Sequence, residues 1–187
     1  MVRRVIPPPP PPRPGEGRLR AATSADEGFI RELSIEVFDQ FGDYGTFLPG
    51  YLKHPSVFTT IYEDEQPCGF VMVALVLSTQ ELPGQPEPPP EGMDGREHEW
   101  LDGEILAIAV SPAHQSRGVG TRLMSHTLDL ARAWHESSSL RSVQLNVADT
   151  NHHAIAFFRR SGFEVLDPSD GQYPKGQQSI RMVQYIL

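Results

Sequence analysis

Apolar residues recur along this chain with two periods, and the change from one to the other marks its elements. In "TSADEGFIRELSIEVFDQF", residues 23–41, Phe29, Ile30, Leu33, Val37 and Phe41 return at helical spacing. Ser24, with Glu27 three residues on, has the form of a capping box that opens this helix. Before it, "RLRAAT" alternates like an edge strand starting at Arg18. After it, "GDYGTFLPGYL" breaks the period and leaves room for a second short helix. Two β-type runs, "VFTTIYE" and "CGFVMVALVL", joined by "DEQP", suit an antiparallel pair. "GEILAIAV", 103–110, is a third strand, and a helix to about Ser137 follows with Val119, Leu123, Leu130, Ala131 and Trp134 on one face. "SVQLNV" reads as a strand, "NHHAIAFFRRSG" as a helix stopped at Gly162, and "FEVL" and "SIRMVQYI" as the final strands. The order β-α-α-β-β-β-α-β-α-β-β predicts a mixed α/β domain with no internal repeat.

Composition divides the chain further. Of 18 prolines among 187 residues, seven lie in 1–17 and five in 82–92. A Pro-rich arm, 1–17, expected to be extended or disordered, therefore precedes one domain, 18–187, interrupted by an acidic Pro-rich insertion loop at 78–102. That insertion carries seven carboxylates and one arginine. It would steer a cationic partner, or simply keep the loop solvated. A net charge of −8 argues against a nucleic-acid coat. Cys68 is the only cysteine, so no internal disulfide or thiolate cage forms, and the adjacent His152 and His153 do not make a metal pair. There is no apolar run of membrane-spanning length and no apolar leader. A soluble cytoplasmic protein, monomer or homodimer, without bound metal, is the expectation.

The candidate chemistry begins at "HQSRGVGTRLM", His114 to Met124, where a strand turns into a helix. The first N–H groups of a helix lack intrahelical partners and lie at the positive end of its dipole. Gly118 and Gly120 would let a diphosphate approach that backbone, Gln115 and Arg117 add donors, and Thr121 adds a hydroxyl. No Lys-Ser/Thr pair follows the glycines, so this is not a Walker motif, and the three-glycine dinucleotide fingerprint is missing.

"VSPAHQSRGVGTRLM" resembles the acyl-CoA pyrophosphate motif of the GNAT superfamily of N-acetyltransferases: Gln115, Ser116, Arg117, Gly118, Val119, Gly120. "NHHAIAFFRRSGF" is similar to a second element of that family, through Asn151, Ala154, Phe158, Gly162 and Phe163. The resemblance covers 18–187. It implies a mostly antiparallel sheet with splayed central strands and flanking helices, and acetyl-CoA as cosubstrate. The edge of Ile108, Ala109 and Val110 would pair with the pantetheine amides, the Gln115–Thr121 turn would hold the pyrophosphate, and Asn151 would reach the pantetheine arm or only cap its helix. Phe158, expected among the cofactor-binding residues, stands where many members place a tyrosine acid, so that role is empty.

Glu104 lies eleven residues before Gln115, where family members that use a glutamate base carry it. Asp102 and His98 are weaker stand-ins. "GQYPKGQQSIRM" is similar to the segment before the last strand of protein N-terminal and ribosomal-protein alanine N-acetyltransferases. There Tyr173 would cover the substrate N-terminus or assist proton transfer, or serve only packing. Tyr44, Phe47 and Leu48 would give an apolar pocket for a first side chain. The implied reaction is direct transfer of acetyl from acetyl-CoA to an amine, preferably a protein or peptide α-amine. A small-amine acceptor (polyamine, amino acid or aminoglycoside) and a non-catalytic acyl-CoA-binding module are the alternatives.

Overall fold

The computed structural model describes residues 17–78, 82–83 and 100–186. The Pro-rich arm up to Glu16, and the insertion at 79–81 and 84–99 with His98, lie outside the described residues. Among the described residues, seven strands form one sheet in the order β1-β2-β3-β4-β5-β7-β6. They are β1 (Arg18–Ala21), β2 (Val57–Asp64), β3 (Gln66–Ser78), β4 (Trp100–Val110), β5 (Leu140–Ala148), β6 (Glu164–Asp167) and β7 (Ser179–Tyr185). Of the pairs between these strands, only β4–β5 is parallel. The helices are α1 (Glu27–Phe38), α2 (Tyr44–Phe47), α3 (Val119–Ser138) and α4 (His152–Arg160), with 3-10 turns at Ser24–Asp26, Leu48–Lys53 and Pro112–His114. The element order is the one that hydrophobic periodicity predicts.

Two apolar clusters sandwich the sheet. The face carrying Leu101, Ile105, Val143 and Leu145 packs on Val119, Leu123, Ala131 and Trp134 of α3. The opposite face, through Phe70, Met72, Ala107 and Ala109, packs on Ile30 and Leu33 of α1 and on Leu48. The expected α3 stripe is buried at all five positions, from Val119 to Trp134.

Three local expectations are corrected. The capping box is Thr23 with Asp26, one residue earlier than Ser24 with Glu27: Asp26 Oδ2 accepts from the Thr23 N–H at 2.7 Å and hydroxyl at 3.1 Å. Asp26 is preferred because the same carboxylate also receives Arg20 from β1, at 2.7 and 2.8 Å. The joint between β2 and β3 is Glu65 alone, in the left-handed region at φ 56°, rather than four residues. β4 starts at Trp100, three residues before Gly103, because Asp102 finds a partner in β5. Arg141 donates to it through Nε at 2.9 Å and Nη2 at 2.8 Å, Ser142 adds its hydroxyl at 2.7 Å, and the Arg141 guanidinium lies 5.1 Å from the Trp100 ring centre.

The feature that positions the site lies at the middle of the sheet. β4 and β5 pair only from Leu101↔Leu140 to Ile105↔Leu145. Beyond that, β4 stays on β3 as far as Val110↔Gly69, while β5 stays on β7 as far as Ala148↔Ser179. The divergence starts at Leu106, which the β3–β4 register skips. An extra residue of this kind bends a strand and sharpens its twist, so the bulge turns the end of β4 away from β5. Ser111 donates its N–H to Cys68 of β3 at 2.8 Å. By the alternation of a strand, the N–H and C=O of Val110 and Ile108 then point into the gap.

Candidate active site

On the α3 side of the gap lies the glycine turn. Ser116 and Gly118 both have positive φ, 61° and 82°. A Cβ on Gly118 would meet nothing within 4 Å, so the backbone conformation rather than crowding demands glycine there. Gly118 is also the N-cap of α3, and Arg122 is the first residue of the helix to bond back to it, at 3.0 Å. The N–H groups of Val119, Gly120 and Thr121 are therefore left for a ligand. Val119 offers only that N–H, since its side chain is in the core. Gly120 is not demanded by packing either: a Cβ there would sit 3.7 Å from the Phe157 ring, an ordinary contact. Gln115 donates its amide to the Val110 carbonyl at 3.0 Å, fixing the turn to the end of β4. Ser116, Arg117 and Thr121 are exposed. A diphosphate fits this arrangement.

α4 closes the other flank. Asn151 caps it, its side chain accepting the Ala154 N–H at 3.2 Å. Phe158 is buried, between Phe157 and Phe163 at ring separations of 5.4 and 6.0 Å. Its neighbour Phe157, half-buried and facing Gly120, is the ring that reaches the phosphate turn, which its position in an apolar helix did not reveal.

On the opposite face of β4 and β5 runs a polar network. Glu104, paired with Gln144, is 31% exposed at its side chain and stands 3.9 Å from Arg181 of β7. Arg181 donates to Gln144 Oε1 at 2.8 Å and to Asp170 Oδ2 at 3.3 Å. Asn146 donates to Asp170 Oδ2 at 2.9 Å and to Ser179 at 2.7 Å. Gln144 donates to Ser142, whose hydroxyl bonds Asp102. Asp102 is thus buried and fully engaged, so it does not serve as the stand-in base expected from the sequence. None of Gln144, Asn146, Asp170 and Arg181 is among the sequence candidates. The signal was the alternation in "SVQLNV", which puts Ser142, Gln144 and Asn146 on one face against Val143, Leu145 and Val147 on the other.

A cleft of about 300 Å³ opens beside this network, lined by Tyr44, Asn146, Asp170, Tyr173, Pro174 and Ser179 among others. Its two sides are tied together: Lys175 bonds Asp39 at 3.2 Å, Gln177 donates to the Gln40 carbonyl at 2.7 Å, and the Tyr173 ring lies 5.7 Å from that of Phe41. Tyr44 and Tyr173 both line this cleft, close enough for each phenol to act on the other. Burial pushes both phenols above their ordinary range, Tyr173 further because Tyr44 adds to it. Both hydroxyls stay protonated at neutral pH. Glu104 is not part of the lining; it lies beyond Arg181. The expected pocket of Tyr44, Phe47 and Leu48 does not form: Leu48 is fully buried in the core, while Phe47 is 45% exposed, its ring tilted against Tyr44 at 4.8 Å, and neither lines the cleft.

The acetyltransferase (GNAT) family model matches residues 23–163, and the chain belongs to that family. It is 39% identical over 61 residues to the N-alpha-acetyltransferase RimI of Mycobacterium tuberculosis, covering 33% of this chain and 34% of that protein. It also matches an uncharacterised Mycobacterium leprae protein at 38% over 71 residues, so it spans about a third or less of these two relatives, 34% and 18%. In fold it is similar to Arabidopsis thaliana NAA60 in complex with acetyl-CoA, with TM-score 0.72, 16% identity, and 91% and 98% of the two chains covered. The spermidine/spermine N-acetyltransferase SpeG of Vibrio cholerae is also similar, with TM-score 0.59, 20% identity, and 91% and 95% covered.

Proposed function

We propose that this chain transfers acetyl from acetyl-CoA directly to an amine, with the α-amine of a polypeptide as acceptor. The observation that carries this reading is the β4–β5 gap, flanked on one side by the glycine turn and on the other by the Tyr44–Tyr173 cleft. The N–H groups of Val119, Gly120 and Thr121, with Arg117 beside them, take the pyrophosphate, and the edge from Ile108 to Val110 takes the pantetheine amides. Asn151 at the start of α4 borders the same arm. The acceptor enters the cleft from the opposite face. Its nitrogen attacks the thioester carbonyl, the C–N bond forms, the C–S bond breaks, and the sulfur leaves as thiolate.

An α-amine suits this site energetically. With a pKa near 7.7–8.0 it is roughly 10–20% neutral at pH 7, whereas a lysine amine is only about 0.04% neutral. Glu104, partly exposed beyond Arg181, takes the proton through an intervening water. The Val110 N–H, which faces the gap, stabilises the developing oxyanion. No acid is needed at Phe158, because a thiol with a pKa of about 8.5 departs largely as thiolate. Tyr173, which keeps its proton, donates a hydrogen bond to the peptide. The Glu104→Gln variant should keep its affinity for CoA and lose at least about tenfold in turnover of a peptide α-amine at pH 7. An unchanged rate removes Glu104 as the base.

A further inference from the structure

We infer that Asp170 and Asn146 form the site that receives the acceptor as a primary ammonium ion. The inference rests on the acetyl-transfer reading above and names the group that the cleft recognises. The Asn146 amide is oriented by its own donors, since Nδ2 serves Asp170 Oδ2 and Ser179 Oγ. Its Oδ1 therefore turns the other way, and it is buried without a hydrogen-bond partner among the described residues. A buried acceptor left unsatisfied is costly unless something arrives to fill it. Asp170, 37% exposed at its side chain, adds an accessible acceptor beside it. Asn146 and Arg181 both bond its Oδ2, and among the described residues no donor reaches Oδ1.

Both residues line the cleft, together with Tyr44 and Tyr173. An ammonium group supplies three donors and no acceptor, which suits the accessible Asp170 Oδ1 with the unpartnered Asn146 Oδ1 buried just behind it, and aromatic rings beside it favour its charge. The charges agree. Glu104 and Asp170 set against Arg181 leave one negative charge on this face, and the hydrogen bond from Asn146, with Arg181, holds the Asp170 carboxyl below the usual range, so it stays ionised. The nearby Lys175 is occupied by Asp39, away from the site. Position completes the case: Asn146 is the first β5 residue beyond the last β4–β5 pair, so a nitrogen held there waits at the mouth of the gap.

The test is calorimetric titration of the CoA-loaded protein with three probes: a lysine-free peptide with a free N-terminus, its N-acetylated twin, and spermidine. Wild type should bind the free peptide and reject the twin. Asp170→Asn keeps the shape and the hydrogen bonds to Oδ2 but removes the charge. It should weaken acceptor binding, and raise acceptor KM, by roughly 10- to 100-fold with CoA affinity and melting temperature unchanged, and Asp170→Glu should restore part of the loss. Equal binding of the acetylated twin, or unchanged acceptor affinity in Asp170→Asn, overturns the site. Asp170-dependent binding of spermidine without turnover of the peptide supports the site while refuting the α-amine reading. Wild type that binds neither amine contradicts both.

Discussion

Asp102 and Arg141 close on each other across the one parallel pair of the sheet, two bonds at 2.9 and 2.8 Å between side chains only 4% and 7% exposed. They lock β4 to β5 at the end away from the gap, so that the strands part at Leu106 and nowhere earlier. Removing one partner leaves the other charged and buried, a situation that typically costs about 3–5 kcal/mol. Asp102→Ala is therefore expected to destabilise by that amount in a urea titration. A loss below about 1 kcal/mol contradicts the assignment.

The phosphate turn makes a prediction that separates its two glycines. Gly118→Val forces a branched residue into φ 82° and places its methyls at the helix start, in open space where a ligand approaches. CoA affinity should fall more than tenfold. The protein's own packing tolerates a Cβ at Gly120, so Gly120→Ala should keep its melting temperature within a few degrees. Unchanged CoA affinity in Gly118→Val, read by calorimetry, defeats the turn as the pyrophosphate site.

Phe158 offers a test of the missing hydroxyl. It is 5% exposed between two other rings, so Phe158→Tyr must bury a hydroxyl among apolar neighbours. The expected result is a loss of about 1–3 kcal/mol in stability and no gain in kcat. A rise in kcat would mean that an acid at that position limits the reaction.

Acid should loosen the joint between β1 and α1. Hydrogen bonds from Arg20 hold the Asp26 carboxyl down at about 2, against an unfolded value of 3.8. A group depressed on folding contributes stability that is complete above its unfolded pKa and disappears as pH falls through the folded one. Asp26 thus adds about 2 kcal/mol above roughly pH 5, lost progressively from about pH 4 to pH 2. Asp26→Asn should lower stability at pH 7 and flatten that limb in denaturation curves taken between pH 7 and pH 2. A limb that keeps its slope contradicts the pairing.

The elements were legible because their determinants are local. The stripe from Val119 to Trp134 and the alternation of "GEILAIAV" state a period within a few residues. The turn was legible for the same reason, since strand end, glycines and helix start are contiguous. The errors were non-local. Asp102 sits in "EHEWLDGE", which reads as acidic loop until Arg141, 39 residues on, makes it strand. The cap moved to Asp26 because Arg20 belongs to another element. The cleft draws on α2, β5, β7 and the turn before β7, and nothing in "NV" or "SDG" announces that Asn146 and Asp170 meet.

The most direct measurement is thiol release from acetyl-CoA with three acceptors in parallel. They are a lysine-free peptide with a free N-terminus, the same peptide N-acetylated and carrying one lysine, and spermidine. Release is expected with the first and little with the others. Release with spermidine or lysine alone would keep the family and contradict the α-amine acceptor, and no release with any of the three, despite CoA binding, would contradict catalysis at this site.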